Sequence, residues 1–512
     1  LHKEYRRQRQ MCIRDRSKYR LVSPTMFKQI GRAVPRIPIN VSKCTTHVYN
    51  SSYIIINSSA RCRKPCPRTL WISQPIRLFG NKSKDNVHAL ESDFDPSMIT
   101  RSEDSLERFE LEEFLKRIDK EPVPTVTLND LLRFQDKISA DRKAVLNDNA
   151  NETLKDLFIL VGRAIQRFLN LPYIAVMNPH MAKIYKCYTD TLYKLLLFVD
   201  GCSEQNAVVL SSSLYDSIEH FHITSKKQEA EFIRVLSKIL EIHTDNTVDL
   251  REAFDEIQSG LVDEKVFLDA HMKERILMRL LINHHLLLHE QLLDAKLEWP
   301  MKSIGSIDMN VDVLDILSRS YDYVNDMAAM KYSDKIKMEV KSVLVKADGS
   351  IREQIIHEID HFEKYEPLVF PYISNHIQYV FDEILKNSTR ATMDNNVSIP
   401  VEVVVVLREP KSTEDYYKLE VRITDHAKGI KPEVVDHLFD YSFTTVNDET
   451  SSDPKLLTNT SDNMIAGMGY GLPMSLTYTR LFDGNIHLKS VFGEGTTVYL
   501  EWTGIAGKNI MA

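Results

Sequence analysis

Two side chains suited to moving a proton and binding a metal ion lie one turn apart on a predicted helix. The segment His376–Asp394 has helical periodicity. Within it Tyr379, Glu383 and Asn387 follow at intervals of four and therefore share one face. A carboxylate can serve as a general base, and an amide oxygen is a hard ligand for Mg²⁺. Solvated Glu and Asn side chains are common on helices, so this face alone carries little specificity.

An acidic strand end and a run of glycines supply two more pieces of chemistry. Asp425 ends a predicted strand before a turn that contains Gly429, so its carboxylate is placed to accept an amine such as that of adenine. Gly467, Gly469 and Gly471 alternate just before an apolar helix. There backbone N–H groups can approach phosphates, and the helix dipole favours an anion. The pattern is neither the dinucleotide-binding GxGxxG nor the P-loop.

The order of these motifs resembles the ATP-binding domain shared by DNA gyrase, heat-shock chaperones, histidine kinases and mitochondrial 2-oxoacid dehydrogenase kinases. The matching boxes occur in sequence as Glu-x-x-Lys-Asn at 383–387, Asp425 with Gly429, Leu-Phe-Asp at 438–440 followed by Phe-Thr-Thr at 443–445, GMGYGLP at 467–473, and Gly-Glu-Gly-Thr at 493–496. The polar stretch 447–466 suits a lid that closes over a nucleotide.

Three further segments narrow the resemblance to the mitochondrial kinases. They are Arg-Ala-Thr after the metal-binding Asn at 390–392, Leu-Pro-Tyr-Ile at 171–174 with Asn-Pro at 178–179, and Arg-Leu-Leu-Ile-Asn-His-His at 279–285. The likeness spans about 105–505. Tyr379 is similar to the branched-chain member, since pyruvate members tend to carry His there. One residue leaves open whether pyruvate dehydrogenase or branched-chain dehydrogenase is the substrate.

The resemblance implies roles for individual residues. Glu383 is expected to be the general base toward a substrate serine, Asn387 to bind Mg²⁺, and Asp425 to accept the adenine amine. Arg390 is expected to support the phosphates or Glu383, with a structural ion pair as an equal alternative. The nucleotide pocket is expected to contain the other residues of the matched boxes: Gly429, Thr444, Thr445, Gly467, Met468, Gly469, Tyr470, Gly471 and Leu472.

The resemblance also implies a candidate effector pocket in the helical half. Arg275 and Arg279 lie four apart on a long predicted helix, and His243 precedes a shorter one. Together they are candidates to bind a small carboxylate such as a 2-oxoacid. Ordinary ion pairs on solvated helix faces are the alternative.

Two features depart from the family pattern. Ala427 and Lys428 stand in a turn that is usually richer in glycine. An Ala forced to positive φ costs ~1–2 kcal/mol, so we expect a reshaped turn with binding kept through Gly429. The chain also ends soon after Trp502. The tail contacts of some pyruvate-type members are therefore not carried over.

The predicted fold class is α+β multidomain. Residues 100–330 carry apolar residues at helical spacing with little Gly, which predicts an antiparallel helical bundle with regulatory and docking roles. Residues 335–505 are predicted to form an α/β sandwich ATP-binding domain of the histidine-kinase type. Its predicted strands and helices are strands at 401–407 and 417–423, helices at 376–394, 432–439 and 472–482, and a hairpin of 486–492 with 496–502.

The charge distribution indicates a targeting segment. Residues 1–84 contain 19 Lys and Arg but only two acids, Glu4 and Asp15. This composition is typical of a mitochondrial transit peptide and predicts a matrix protein, with a disordered basic arm as the alternative. Residues 1–16 are a candidate non-native extension. The acidic remainder argues against nucleic-acid binding, and no apolar run approaches the ~18–20 residues of a membrane helix.

The expected protein is a matrix serine kinase that uses ATP and Mg²⁺ to inactivate a 2-oxoacid dehydrogenase complex. It would phosphorylate the decarboxylating subunit, dock on the lipoyl-bearing acyltransferase core and form a homodimer. A catalytically silent ATP-binding scaffold is the first alternative, motivated by the altered glycine turn. A histidine autokinase is the second, suggested by His289-Glu290 but lacking the Arg-Thr-Pro continuation. A gyrase-like ATPase is not expected, because only ten residues follow Trp502.

Overall fold

The computed structural model describes residues 111–203, 218–244, 246–257, 260–293, 301–357, 365–441 and 469–511. The predicted leader, 1–84, lies outside these ranges. The first part is helical, and its long helices are α1 (Arg142–Leu169), α2 (Pro179–Ser203), α3 (Lys226–Ile242), α4 (Asn246–Glu256) and α5 (Glu264–Leu293). Short helices lie at Leu128–Leu131, Gln135–Ile138 and Tyr173–Val176.

The start of two of these helices is fixed by side-chain caps. The Asp141 carboxylate accepts the N–H of Ala144 at the start of α1. Ser225 and Gln228 form a reciprocal capping box at the start of α3. Such caps satisfy N–H groups that have no partner within the helix.

Helix α5 is the central helix of this part. It packs against α1 and α3, and most of its length is buried. Phe168 of α1 and Phe267 of α5 meet edge to face with ring centroids 5.4 Å apart. The helix observed at Glu264–Leu293 confirms the long helix predicted to carry Arg275 and Arg279.

The second part is a six-stranded mixed sheet. Its strands are β1 (Met338–Val345), β2 (Ile351–Ile356), β3 (Val401–Arg408), β4 (Tyr416–Asp425), β5 (Asn485–Val491) and β6 (Gly495–Ala506). They lie in the order β2-β1-β3-β4-β6-β5, and only the β1–β3 pair is parallel. Alternate residues of β1 and β3 are buried, as one covered face requires.

Three helices accompany this sheet: α6 (Val313–Tyr332), α7 (Ser374–Asp394) and α8 (Gly471–Arg480). Helix α7 packs on α6, α8 and β4. Its Phe381 meets Trp502 of β6 edge to face at 5.9 Å. The helical part followed by a mixed sheet with helices is the predicted α+β fold class.

Two predicted elements in this part differ from the observed ones by more than two residues at one end. The helix predicted at 432–439 is limited to Pro432–Val435, which buries none of its residues, so no packing energy extends it. The last strand, predicted to end at 502, continues to Ala506 and pairs there with Tyr416 across a bulge. Its final residues are buried, which accounts for the extension.

The helical part and the sheet part contact each other at several places, including α5 against α8. Lys265 Nζ of α5 lies 2.5 Å from Asp440 Oδ1, in the segment after the short helix. Asn509 Nδ2 donates to Asn129 Oδ1 at 2.7 Å, joining the end of the sheet part to the Leu128–Leu131 helix. Within the ranges described, no helix is long and apolar enough to cross a membrane.

Candidate nucleotide site

Glu383 lies at the edge of the buried face of α7. The two residues after it, Ile384 and Leu385, are buried, whereas the Glu383 side chain is 17% exposed. Lys386 Nζ donates to its Oε1 at 2.6 Å. One carboxylate oxygen is therefore held by a cation one turn further along the same helix.

The other carboxylate oxygen faces the start of α8. A Cβ built on Gly471 would lie 2.0 Å from Glu383 Oε2, so a larger residue there would require the carboxylate to move. Tyr470, at the N-cap, makes no side-chain cap hydrogen bond, and the positive end of the helix dipole points toward the acid. The structure thus brings Glu383 together with Gly471 of the predicted phosphate-binding segment.

The predicted metal ligand and the predicted arginine follow on α7. Asn387 is exposed one turn after Glu383, so its amide oxygen is accessible to a hydrated ion. A single amide and a nearby carboxylate fit Mg²⁺, which keeps several waters and takes further ligands from phosphates. Arg390 pairs with Asp394 at 3.3 Å, which is the structural alternative considered for it.

Asp425 is buried at the carboxyl end of β4. Its Oδ1 accepts the N–H of Ala427 at 3.2 Å. Burial raises the pKa of Asp425, while the N–H groups of Ala427 and Thr496 lower it. A buried carboxylate that keeps acceptor capacity is suited to bind an amine donor such as that of adenine.

Glycines are required around this strand end. Gly429 has φ +69°, and a Cβ there would lie 2.3 Å from the carbonyl oxygen of Val491. Gly495 has φ +136°, and a Cβ there would lie 2.2 Å from the carbonyl oxygen of Asp425. The turn after β4 and the β5–β6 hairpin are therefore packed backbone to backbone.

The strain considered for Ala427 is absent. The non-glycine residues with positive φ in the described ranges are Ser333, Asn396 and Asp483. Ala427 is buried without a left-handed backbone, and Lys428 Nζ lies 5.5 Å from the centre of the Phe492 ring. The turn therefore accepts both residues with Gly429 alone in the left-handed region.

The remaining predicted nucleotide residues are only partly covered. Thr444, Thr445, Gly467 and Met468 lie outside the described residues. The other three lie at the start of α8: Gly469 with φ +75°, the buried Tyr470, whose ring is 5.3 Å from that of Tyr441, and the partly buried Leu472.

The candidate effector residues lie together in the helical part, where His243 and Arg275 are buried and Arg279 is half-buried. Arg275 Nη2 donates to the carbonyl oxygen of His243 at 2.8 Å, and Thr191 Oγ1 lies 2.8 Å from His243 Nε2. Tyr188 meets the His243 ring at 4.7 Å. Burial, Arg275 and Arg279 lower the pKa of His243 to about 3, so the imidazole is neutral near pH 7.

The two arginines of this cluster have unmet donors. Arg275 Nη1 and Arg279 Nη1 are buried without a hydrogen-bond partner. Burial lowers the pKa of Arg279, and the positive charge of Arg275 lowers it further. Two cations that repel each other, each with a buried Nη1 atom that lacks an acceptor, favour an anion beside them.

Sequence reasoning assigned no role to two residues that the structure places at the site. Lys386 stands in the matched motif, and its spacing of three from Glu383 is the signal that predicts their pairing. Tyr478 has no such signal, because its partners, Tyr379 and His376, lie on another helix.

Two family models match the chain. The model for mitochondrial branched-chain alpha-ketoacid dehydrogenase kinase matches residues 125–308. The model for histidine kinase-, DNA gyrase B- and HSP90-like ATPases matches residues 373–503, which include Glu383, Asp425 and Gly471. The two matched ranges thus follow the helical part and the sheet part.

Characterised relatives show the same likeness over most of the chain. The chain is 27% identical over 401 residues to [pyruvate dehydrogenase (acetyl-transferring)] kinase 1, mitochondrial, of Saccharomyces cerevisiae, covering 78% of this chain and 88% of the yeast protein. It is 27% identical over 312 residues to the human kinase isozyme 4, covering 58% of this chain and 68% of that protein. For human isozyme 1 the identity is 25% over 345 residues, covering 67% and 70%.

Proposed function

We propose that the chain, as a member of the mitochondrial 2-oxoacid dehydrogenase kinase family, transfers the γ-phosphate of ATP to a serine of the decarboxylating subunit of a 2-oxoacid dehydrogenase complex. This phosphorylation inactivates the complex. The observation that carries this proposal is the contact between Glu383 and Gly471, which joins a potential base to the start of a phosphate-binding helix.

The geometry supports direct transfer to the substrate hydroxyl. The serine oxygen attacks the γ-phosphorus, the bond to the β–γ bridging oxygen breaks, ADP leaves, and the serine proton passes to Glu383. Lys386 holds Oε1 at 2.6 Å and so fixes the orientation of the carboxylate. Asp425 orients adenine, and the N–H groups at the start of α8 bind phosphate. Mg²⁺ bound by Asn387 would offset the phosphate charge.

Pyruvate dehydrogenase is the first candidate substrate. The relatives that cover most of the chain are named for that enzyme. Branched-chain dehydrogenase is the second candidate, because the helical part matches the branched-chain kinase model and Tyr379 resembles that member. The substrate hydroxyl meets the same base in either case.

Family membership also supports a compartment and partners for this activity. The chain is mitochondrial, like its relatives, whose names state that location. We propose the matrix as its compartment, reached through the basic leader 1–84. The proposed partners are the lipoyl-bearing acyltransferase core as a docking platform and a second copy of the chain as a homodimer.

The proposed function is tested by phosphorylation of whole complexes. The full chain is incubated with labelled ATP, Mg²⁺ and purified pyruvate or branched-chain dehydrogenase complex in parallel. We expect acid-stable label on one decarboxylating subunit with a matching loss of dehydrogenase activity. The labelled complex identifies the substrate.

Two other results would contradict the proposal. ADP binding without label on either complex would favour the silent scaffold. Acid-labile label on the chain itself would favour an autokinase, for which His289 is the candidate. In the structure His289 Nδ1 lies 2.5 Å from Glu229 Oε1, and the His289 side chain is 16% exposed.

We further propose that the cluster of His243, Arg275 and Arg279 binds a small carboxylate such as a 2-oxoacid. The observation behind this is the pair of buried Nη1 atoms without acceptors. A carboxylate has two oxygens that suit two guanidinium groups and would relieve the repulsion between them. His243 stays neutral in this pocket and adds no competing charge.

The effector pocket is tested by calorimetric titration with pyruvate and with a branched-chain 2-oxoacid. We expect one of them to bind the wild-type chain and to bind the Arg275→Met variant at least ~tenfold more weakly, as loss of a charged hydrogen bond predicts. Arg234→Met is the control, since Arg234 is 75% exposed on α3. Equal binding by the Arg275→Met variant, or no binding of either acid to the wild type, would exclude this pocket.

A further inference from the structure

Tyr478 of α8 contacts the helix that carries the proposed base. Its ring centroid lies 4.8 Å from that of Tyr379 and 4.8 Å from that of His376, both on α7. Tyr379 precedes Glu383 by one turn. Burial raises the pKa of Tyr379, and the negative charge of Glu383 raises it further, so the phenol and the carboxylate are neighbours. The ring of Tyr478 therefore packs on the side chain next to Glu383.

Tyr478 also lies on a helix, α8, that packs against the helix of the two arginines, α5. Burial raises the pKa of Tyr478, and the positive charges of Arg279 and Arg275 lower it, so both guanidinium groups act on this phenol. Tyr478 thus packs on the ring beside Glu383 and belongs to the helix that joins α7 to the arginine-bearing α5.

Helix α8 meets α7 at two points two turns apart. Gly471 touches the Glu383 carboxylate, and Tyr478, on the same face of α8, touches Tyr379. A shift of α8 would therefore move the backbone beside Oε2 and the ring beside Glu383 together. Packed side chains of this kind transmit displacement because the interior does not compress.

We propose that Tyr478 is a positioning residue for phosphotransfer: it couples Arg279 of α5 to Tyr379 and, through Tyr379, holds the Glu383 carboxylate in place. The proposal rests on the proposed function of Glu383. Tyr478 itself need not touch the nucleotide or the substrate serine.

A double-mutant cycle on kcat tests this coupling. The variants are Tyr478→Phe, Arg279→Met and the two combined, in the full chain, with phosphorylation of the dehydrogenase complex and ADP affinity measured for each. We expect each single change to lower kcat by roughly fivefold, and the combined variant to be no lower than the singles, since partners in one interaction are not additive. ADP affinity and the thermal midpoint should stay at wild-type values, and Tyr499→Phe on β6 is the matched control.

Three results would overturn the role of Tyr478. Singles with wild-type kcat would show that the phenol is not needed. Effects that multiply in the combined variant would show that Arg279 and Tyr478 act independently. A kcat loss that tracks ADP affinity and thermal midpoint would reduce Tyr478 to a packing residue. Absence of label with the wild-type chain would instead contradict the kinase function, so the two failures are distinguishable.

Discussion

Replacing Glu383 by Gln is expected to lower kcat for phosphorylation of the dehydrogenase complex by at least ~100-fold, the usual contribution of a general base. Gln has the same shape, so the packing against Gly471 and the start of α8 is kept. It cannot accept the serine proton, however, and Lys386 loses its carboxylate partner. ADP affinity should therefore remain near the wild-type value while transfer is lost.

The matched control for this change is its neighbour on the same helix. Asp382→Asn makes the same replacement of a carboxylate by an amide, but the Asp382 side chain lies toward Ser320 of α6. We expect its kcat to stay within about threefold of wild type, as for changes away from the chemistry. Transfer rates are measured under single-turnover conditions with ADP affinity from calorimetry. Wild-type transfer by Glu383→Gln would remove Glu383 from the mechanism.

The predicted strands and helices agree with the structure where the apolar pattern in the sequence matches the burial pattern of the fold. The strands predicted at 401–407 and 417–423 are observed at Val401–Arg408 and Tyr416–Asp425, because β-branched residues alternate with exposed ones in both. The helix predicted at 432–439 is wrong beyond Val435. None of the residues of the observed turn is fully buried, and helical spacing alone does not hold a short helix.

The candidate site was predictable as a set of motifs but not as an arrangement. Motif order identifies Glu383, Asp425 and Gly471, yet nothing in the sequence states that Gly471 packs on the Glu383 carboxylate. That contact joins two helices far apart in the chain and depends on how α7 and α8 cross. The same holds for Arg390: the sequence left an ion pair and a phosphate contact open, and the pairing with Asp394 is seen only in the structure.

Replacing Gly471 by Ala is expected to lower kcat by at least ~100-fold, as a 1 Å misplacement near the reacting groups can do. The new Cβ would lie 2.0 Å from Glu383 Oε2, which is far inside van der Waals contact. Either the carboxylate turns away from the phosphate side, or the start of α8 moves and carries its N–H groups with it. We expect ADP affinity to fall as well, because those N–H groups are the proposed phosphate donors.

The thermal midpoint of the Gly471→Ala variant distinguishes a loss of catalysis from unfolding. Ala favours a helix over Gly by ~1 kcal/mol. This gain in α8 offsets part of the free energy lost at the crowded contact, so the thermal midpoint of Gly471→Ala should change little. Gly201→Ala is the matched control, since Gly201 lies in α2 with nothing within 4 Å of the added Cβ. That variant should be as active as wild type and slightly more stable. Full activity in Gly471→Ala would mean that the carboxylate is free to move without loss, and the contact that carries the proposed function would have no catalytic meaning.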